Sequence, residues 1–324
     1  MRRKGLQQGM NYRPLGKTGL KLSTIGFGAS PLGGVYGRLD EQEGIRAVLT
    51  ALDLGVNFID VAPYYGITKA EIVLGKALKQ TPRDSYYLST KVGRYGSSDF
   101  DFSARRVVAS VDESLARLNV DYVDIIFCHD IEFGSLDQMV EETIPALRGL
   151  QDSGKVRLVG VSGLPLGIFP YVAERVDLDT ILSYCHYTLY DTSLESIIPS
   201  LQRKEIGIIG ASPFGMGLLT GQELPAWHPA TPEMRAACAN ARLHCQRKGV
   251  DITKLALQFS VSNPDIVTTL VGIGSPEDII ANVQAIAQPI DQQLLAEVQT
   301  ILAPVRDQTW MSGRPENNRL SITQ

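Results

Sequence analysis

Apolar residues along the chain gather into short dense runs, and between the runs they recur at helical spacing. The runs lie near residues 25–28, 56–60, 86–91, 122–128, 156–162, 180–184, 206–211 and 267–272. Each has the length of one buried strand and is bounded by Gly, Pro, Asn or Asp. Helical patterns follow most of them, near 40–54, 70–79, 103–117, 137–152, 165–175, 193–203, 231–262 (read as two helices) and 276–286. Ser103 is a helix-opening residue and Gly154 a helix-closing one. Ahead of the first run, Tyr12 to Ser23 reads as a hairpin turning at Gly16-Lys-Thr-Gly19.

Eight strand–helix units in one chain of 324 residues predict a closed (β/α)8 barrel. The rival is an open doubly wound sheet, which wants Gly-x-Gly-x-x-Gly after the first strand. Gly26-Phe-Gly28 is present, but Pro31 stands at the third glycine position. Asp291–Leu302 adds one more helix. Residues 1–10 read as a flexible extension, 11–311 as a single barrel domain, and 312–324 as a polar tail, polar enough to be disordered.

Composition narrows the partners. The net charge is -4, with no basic run, which argues against nucleic acid or an anionic membrane surface. No apolar run approaches the ~18 residues of a membrane span. Cys128, Cys185, Cys238 and Cys245 include no Cys-x-x-Cys pair and suit reduced thiols in a cytoplasmic protein. Cys238, His244 and Cys245 lack a fourth ligand at any zinc spacing, so no metal is expected.

The chemistry concentrates where strands end, the rim that carries barrel active sites. The second strand closes in Asp60, and the loop behind it presents Tyr64 and Tyr65 before Gly66. The third closes in Lys91, and His129 follows the fourth. Adjacent parallel strands lie ~4.8 Å apart, so these side chains should converge on one rim. A phenol titrates near pH ~10. An ammonium beside it favours the phenolate, so Lys91 is expected to lower the Tyr65 pKa, with Asp60 holding Lys91 charged and His129 orienting a substrate oxygen. Taken singly, each residue has a plainer role: Asp60 a loop cap, the tyrosines packing, His129 a satisfied structural histidine. The four in register at strand ends favour catalysis. Arg94 and Asp130 are close enough to the rim to meet a substrate, Tyr36 and Trp310 could stack on one or simply pack, and His228 is expected to be structural. The long loop 212–230 should help build the ligand site.

Asp60-x-x-x-x-Tyr65-Gly66, Ser89-Thr-Lys91, Cys128-His129, Ser212-Pro-Phe-Gly-x-Gly-Leu-Leu-Thr-Gly221 and Val271-Gly-Ile-Gly-Ser-Pro, closing on Asn282, resemble the motifs of the aldo-keto reductases. The likeness runs from about Tyr12 to Trp310. It implies a (β/α)8 barrel, a nicotinamide cofactor, Tyr65 as general acid/base, Lys91 and Asp60 as its tuners and His129 as the orienting group. Other stretches, such as His129-Asp-Ile-Glu-Phe-Gly-Ser-Leu-Asp-Gln138 and Ile181-Leu-Ser-Tyr-Cys-His-Tyr187, resemble those members that oxidise the anomeric carbon of a sugar to a lactone with NAD.

The resemblance also implies cofactor contacts at Ser162, Ser212, Gly272, Ser275 and Asn282. It departs from the family pattern at three places. Gly163 stands where Asn is usual, Tyr184 where Gln is usual, and Ala211 where an aromatic often stacks on the nicotinamide. Tyr184 or His186 is expected to supply what is missing, with His186 also a substrate candidate. Members that use NADP commonly carry an arginine four residues before the asparagine. Here that position is Asp278, whose carboxylate would repel a 2′-phosphate and suits ribose hydroxyls, so NAD is expected. Asp278 and Glu277 equally fit as first-turn residues of a helix. Three alternatives remain open: a sugar dehydrogenase with another preferred aldose, a general NAD(P)H-dependent aldehyde reductase, and a cofactor-binding regulatory subunit without activity.

Overall fold

A computed structural model describes residues 10–35, 37 and 40–322. Tyr36, one of the substrate candidates, and residues 1–9 lie outside them. The chain opens with the hairpin β1 (Tyr12–Pro14) and β2 (Lys21–Ser23). Eight parallel strands follow: β3 (Ile25–Gly28), β4 (Phe58–Asp60), β5 (Tyr87–Val92), β6 (Val123–Cys128), β7 (Val156–Gly163), β8 (Thr180–Tyr184), β9 (Gly207–Ala211) and β10 (Thr268–Gly272). They close into a barrel in sequence order, with β10 pairing β3. The fold is the expected (β/α)8 barrel.

The helices around it are α1 (Glu41–Asp53), α2 (Lys69–Leu78), α3 (Ala104–Leu118), α4 (Leu136–Gln138), α5 (Ile144–Asp152), α6 (Ile168–Ala173), α7 (Ile198–Arg203), α8 (Pro232–Arg247), α9 (Ile252–Ser260), α10 (Pro276–Ile286) and α11 (Gln292–Leu302). Ser103 caps α3 by accepting the Arg106 N–H, and Gly154 leaves α5 at φ +72°. The single helix expected over 137–152 has a π turn at Met139–Thr143, between α4 and α5. Pro145 has no N–H to give the carbonyl four residues back, and the Ile144 N–H reaches Met139 instead.

Three apolar layers follow from the strand pattern. Strand side chains facing outward pack with the inner faces of the helices. Side chains facing inward, among them Phe58, Ile125, Phe127 and Ile209, fill the barrel and meet Leu15, Leu20 and Leu22 of the hairpin, which plugs its lower end. The Arg13 guanidinium ties that plug to the carbonyls of Val261, Asn263 and Ile266, each at 2.7 Å. A third layer joins α8, α9 and α11 to the loops above them.

Two boundary expectations are corrected. Met10, assigned to the flexible extension, is buried in the core. The tail expected to be disordered is fixed as far as residue 322 is described. Asn317 is buried and donates to the carbonyls of Glu132 and Gly134, and the Asn318 amide holds the carbonyls of Ser312 and Arg314. Its polar residues find backbone acceptors on the barrel rim, which polarity alone could not disclose.

Candidate active site

Register places the reactive groups. Asp60 ends β4 opposite Ser89 of β5, and Lys91 pairs with Phe127 one residue before β6 ends in Cys128. The His129 N–H extends the ladder to the Val92 carbonyl at 2.8 Å. Tyr65 arrives from the loop. Gly33 lies against it so closely that a Cβ there would stand 2.6 Å from the Tyr65 carbonyl carbon and oxygen, and Gly66 turns away at φ +64° against the Gly33 carbonyl. Neither glycine tolerates a side chain, and together they fix where the phenol points.

Lys91 is 1% exposed and uses all three of its protons. They go to Asp60 Oδ2 at 2.5 Å, the Val61 carbonyl at 3.0 Å and the Tyr65 hydroxyl at 3.1 Å. Asp60 Oδ1 accepts from Ser89 Oγ at 2.7 Å. Burial alone would lower the Lys91 pKa, but Asp60 and Tyr65 outweigh it and the ammonium is held charged.

The expectation for Tyr65 is corrected. Burial pushes its pKa up to about 12; Lys91 opposes this and Asp60 partly cancels Lys91. Without ligand Tyr65 is a phenol at neutral pH. Its hydroxyl is ready to donate a proton, and the ammonium beside it is ready to stabilise a phenolate once one forms.

His129 meets the Tyr65 ring edge-on at 5.7 Å and the Tyr64 ring at 6.0 Å. Burial first, then Lys91 and Arg94, lowers its pKa well below the usual histidine value, so it is neutral. Its buried Nδ1 has no partner in the protein. Above it, Arg94 pairs with Asp130 and lies 3.8 Å over the Tyr64 ring. Asp130 sits at φ +52°, a conformation that brings its carboxylate back over the rim.

These groups share a cavity of about 920 Å³ running from Asp60, Tyr65, Lys91 and His129 past Ser162, Tyr184 and Ala211 to Gly272, Asp278 and Asn282. Arg94, Asp130 and Ser212 also line it. The loop after β9 forms one wall through Phe214, Met216 and Trp227. His228 is structural, as expected: its Nε2 meets the Gly215 carbonyl at 2.9 Å and holds that loop.

Three candidates do not line the cavity. His186 is buried with Nδ1 near Asp191 and Ser193 and Nε2 on the Leu164 carbonyl at 2.8 Å. Cys185 before it sits at φ +64°, which breaks the strand alternation and turns the imidazole away. Trp310 packs edge-on against His228 at 5.8 Å. The turn at Asp307, whose N–H reaches the Tyr190 carbonyl, draws the chain to that side. Ser275 is the α10 cap: its hydroxyl accepts the Asp278 N–H while Asp278 Oδ2 accepts the N–H groups of Ser275 and Gly274. The helix-end role of Asp278 is therefore present in the geometry, and the residue lines the cavity as well.

Sequence reasoning missed Glu132, a fully buried carboxyl beside the rim, and the tail residue Ser312 that donates to it. No periodicity marks either one. Among the described residues no cluster of three or more His, Cys, Asp or Glu could hold a metal ion, and no helix is long and apolar enough to cross a membrane.

The sequence profile of the aldo/keto reductase family matches residues 24–303. The chain belongs to the aldo/keto reductase family. It is an oxidoreductase, and the family uses nicotinamide cofactors. It is 53% identical over 317 residues to L-galactose dehydrogenase of Arabidopsis thaliana, covering 95% of this chain and 99% of that one. It is 34% identical over 240 residues to D-arabinose 1-dehydrogenase of Saccharomyces cerevisiae, covering 69% and 71%. Among solved structures, the holo form of an aldo-keto reductase from Bacillus halodurans superposes with a TM-score of 0.75 at 26% identity, covering 96% of this chain and all of that one.

A nicotinamide dinucleotide fits the donors present. The cavity is long, with a volume in the range of cofactor sites. It has an unpartnered imidazole nitrogen at one end, and at the other Gly272 and Gly274, which bring backbone close to the start of α10.

Proposed function

We propose that the chain is an NAD-dependent aldose 1-dehydrogenase that oxidises L-galactose at its anomeric carbon to the lactone. The observation that carries the reaction is the Tyr65 hydroxyl on the Lys91 ammonium at the floor of the cavity, with the Arg94–Asp130 pair on its rim. The similarity to the Arabidopsis enzyme carries the choice of sugar.

When bound, the oxidised nicotinamide accepts the hydride that leaves C1. The protein handles the proton and the geometry. Tyr65, once deprotonated to the phenolate, takes the C1 hydroxyl proton as negative charge builds on that oxygen and returns to the phenol. Lys91, fixed by Asp60 and the Val61 carbonyl, stabilises the phenolate form during the transfer. Neutral His129 donates an N–H to the same oxygen and sets its direction. Arg94 and Asp130 offer donors and acceptors to ring hydroxyls. A buried hydroxyl left unmatched costs about 1–3 kcal/mol, so the rim can discriminate between aldoses.

NAD is favoured over NADP because Asp278 occupies the α10 start. Its carboxylate already accepts the N–H groups of Gly274 and Ser275, so a second anion there would meet a negative charge and spent donors. The four buried free cysteines suit a reducing compartment, which favours the cytoplasm.

The test is a panel of aldoses with NAD and with NADP, read by absorbance of the reduced cofactor. The reading expects the highest kcat/KM with L-galactose and NAD, and weaker turnover of L-fucose, which lacks only the C6 hydroxyl. Turnover confined to simple aldehydes, or a preference for NADP, rejects it.

A further inference from the structure

The Arg94–Asp130 pair is built into its place by three loops. Gly93 leaves β5 at φ +95°, where a Cβ would stand 2.2 Å from the Phe102 ring. The chain then folds back on itself: Arg94 bridges Phe100, and the Tyr95 N–H reaches the Asp99 carbonyl at 2.9 Å. The loop after β6 swings at Asp130 into the turn Ile131–Phe133. Together these two loops bring Phe100 onto Phe133, stacked at 4.5 Å with 7° between the ring planes. The Arg94 guanidinium carbon lies 5.2 Å and 5.3 Å from those ring centres, and 3.8 Å over the ring of Tyr64 from the loop after β4. A planar cation over aromatic faces is attracted to them and loses its freedom to turn.

The ion pair inside this aromatic slot is joined at one corner. Arg94 Nη1 donates to Asp130 Oδ2, and Nε points to the Gly96 carbonyl at 3.5 Å. Nη2 has no acceptor and Asp130 Oδ1 no donor among the described residues, and both residues line the cavity. The pair therefore keeps one free donor on one member and one free acceptor on the other. Two hydroxyls on neighbouring carbons match that demand, because a hydroxyl can do either.

We propose that Tyr64, with Phe100 and Phe133, determines specificity: the three rings hold Arg94 so that its Nη2 and Asp130 Oδ1 together take two adjacent hydroxyls of the sugar, one as acceptor and one as donor. Tyr64 is a positioning residue in this scheme, acting through Arg94. The substrate class is a neutral vicinal diol. The two cations lining this end, Lys91 and Arg94, each face a carboxylate of their own, so an acidic group on the sugar finds no unpaired cation there among the described residues. In a pyranose the neighbouring ring hydroxyls that leave the reacting C1 oxygen free are C2–C3 and C3–C4, and both pairs contain the C3 hydroxyl. The inference rests on the reading that this end of the cavity receives an aldose.

The experiment compares kcat/KM for L-galactose and for its 3-deoxy analogue, with NAD. The wild-type protein should prefer L-galactose by about 10–100-fold, since the analogue leaves a charged donor or acceptor unmatched. Tyr64→Leu removes the ring and should shrink that ratio by roughly 3–10-fold, through a higher KM for L-galactose, while the Kd for NADH read by fluorescence stays unchanged. Tyr64→Phe keeps the ring and should keep the ratio. Phe133→Leu should shrink it in the same direction, and decides if Tyr64→Leu does not fold. L-Galacturonate, with a carboxylate at C6, should be oxidised less efficiently than L-galactose by about 10-fold or more. Equal kcat/KM for L-galactose and the 3-deoxy sugar, or a ratio that the loss of the ring leaves unchanged, overturns the inference while the dehydrogenase reading stands. A ratio lost in Tyr64→Phe as fully as in Tyr64→Leu assigns the effect to the hydroxyl and overturns the role of the ring. Equal turnover of L-galacturonate overturns the neutral class. Failure of the wild-type protein to oxidise any aldose overturns both readings.

Discussion

On the β4–β6 side of the cavity the buried ammonium of Lys91 has an acceptor for each of its three protons. On the β6–β8 side the buried carboxyl of Glu132 leaves one oxygen with none. Lys91 stays charged because Asp60 and Tyr65 are worth more to it than the water it lost. Among the described residues no cation pairs with Glu132, and Asp130 close by pushes it further toward the neutral acid. The same burial thus yields a fixed charge on one wall and a neutral carboxyl, held by Ser312 and the Leu164 N–H, on the other. The first suits a step in which a proton moves. The second suits a contact that must hold still.

The sharpest break on the charged wall is Tyr65→Phe. Under the proposed reaction it should lower kcat by about 10²–10⁴-fold, the usual contribution of a positioned acid/base. NADH binding, measured by fluorescence, should stay unchanged, because the hydroxyl is lost and the ring kept. A phenol whose pKa is raised to about 12 also sets a pH trend. Oxidation, which needs Tyr65 to take a proton, should speed up as pH rises through the mildly alkaline range, and reduction should not. Opposite trends in initial rates would contradict the assignment of Tyr65.

Lys91→Met should be nearly as damaging to turnover and, unlike Tyr65→Phe, should destabilise the fold by about 3–5 kcal/mol, since it leaves the Asp60 carboxylate buried without its cation. Pairing it with Asp60→Asn should recover part of that loss in urea denaturation and none of the activity. Full recovery of both would mean that the pair is only a strut.

How much of each wall was legible in the chain follows from the same contrast. Asp60, Lys91 and His129 each end a dense apolar run, so period-two alternation and strand order were enough to bring them together, and Tyr65 sits five residues past a strand end. The barrel itself, its eight strands and the plug hairpin were readable for that reason. Glu132 and Ser312 lie 180 residues apart, one in a short turn and the other in a polar tail, and no periodicity joins them. His186 misled because a single left-handed residue, Cys185, overrides the alternation that would have aimed it inward. The direction of the Tyr65 shift was misjudged because the sequence shows the neighbouring lysine but not how far burial removes water from the phenol.

At the far end of the cavity, Asp278→Arg should move the kcat/KM ratio toward NADP by about 10–100-fold, since it replaces a repelling carboxylate with a charge-assisted donor to a 2′-phosphate. It also removes the reciprocal cap on α10 and so should cost about 0.5–2 kcal/mol of stability. A variant that loses stability without any change in cofactor preference would reduce Asp278 to its capping role.

The smallest expected effect on turnover belongs to Glu132→Gln, yet it tests the uncharged wall most directly. The native protein holds the Glu132 proton up to a pH of about 8, whereas an unfolded chain releases it near 4.5. Between those values the folded state binds more protons than the unfolded one, so this group's contribution is full below about 4.5 and is lost as pH rises through about 8. Glutamine has no proton to lose. The Tm of Glu132→Gln minus that of the wild type should therefore grow with pH over this window and level off above it. Asp130, whose pKa burial also raises against the pull of Arg94, tilts both proteins in the same direction. Tyr184, the other titratable group facing this carboxyl, has its pKa raised well above 10 by burial and does not titrate in the window. A difference that stays flat with pH would mean that Glu132 is ionised in the folded protein. Ser312 would then donate to a carboxylate, and the two walls would handle buried charge alike.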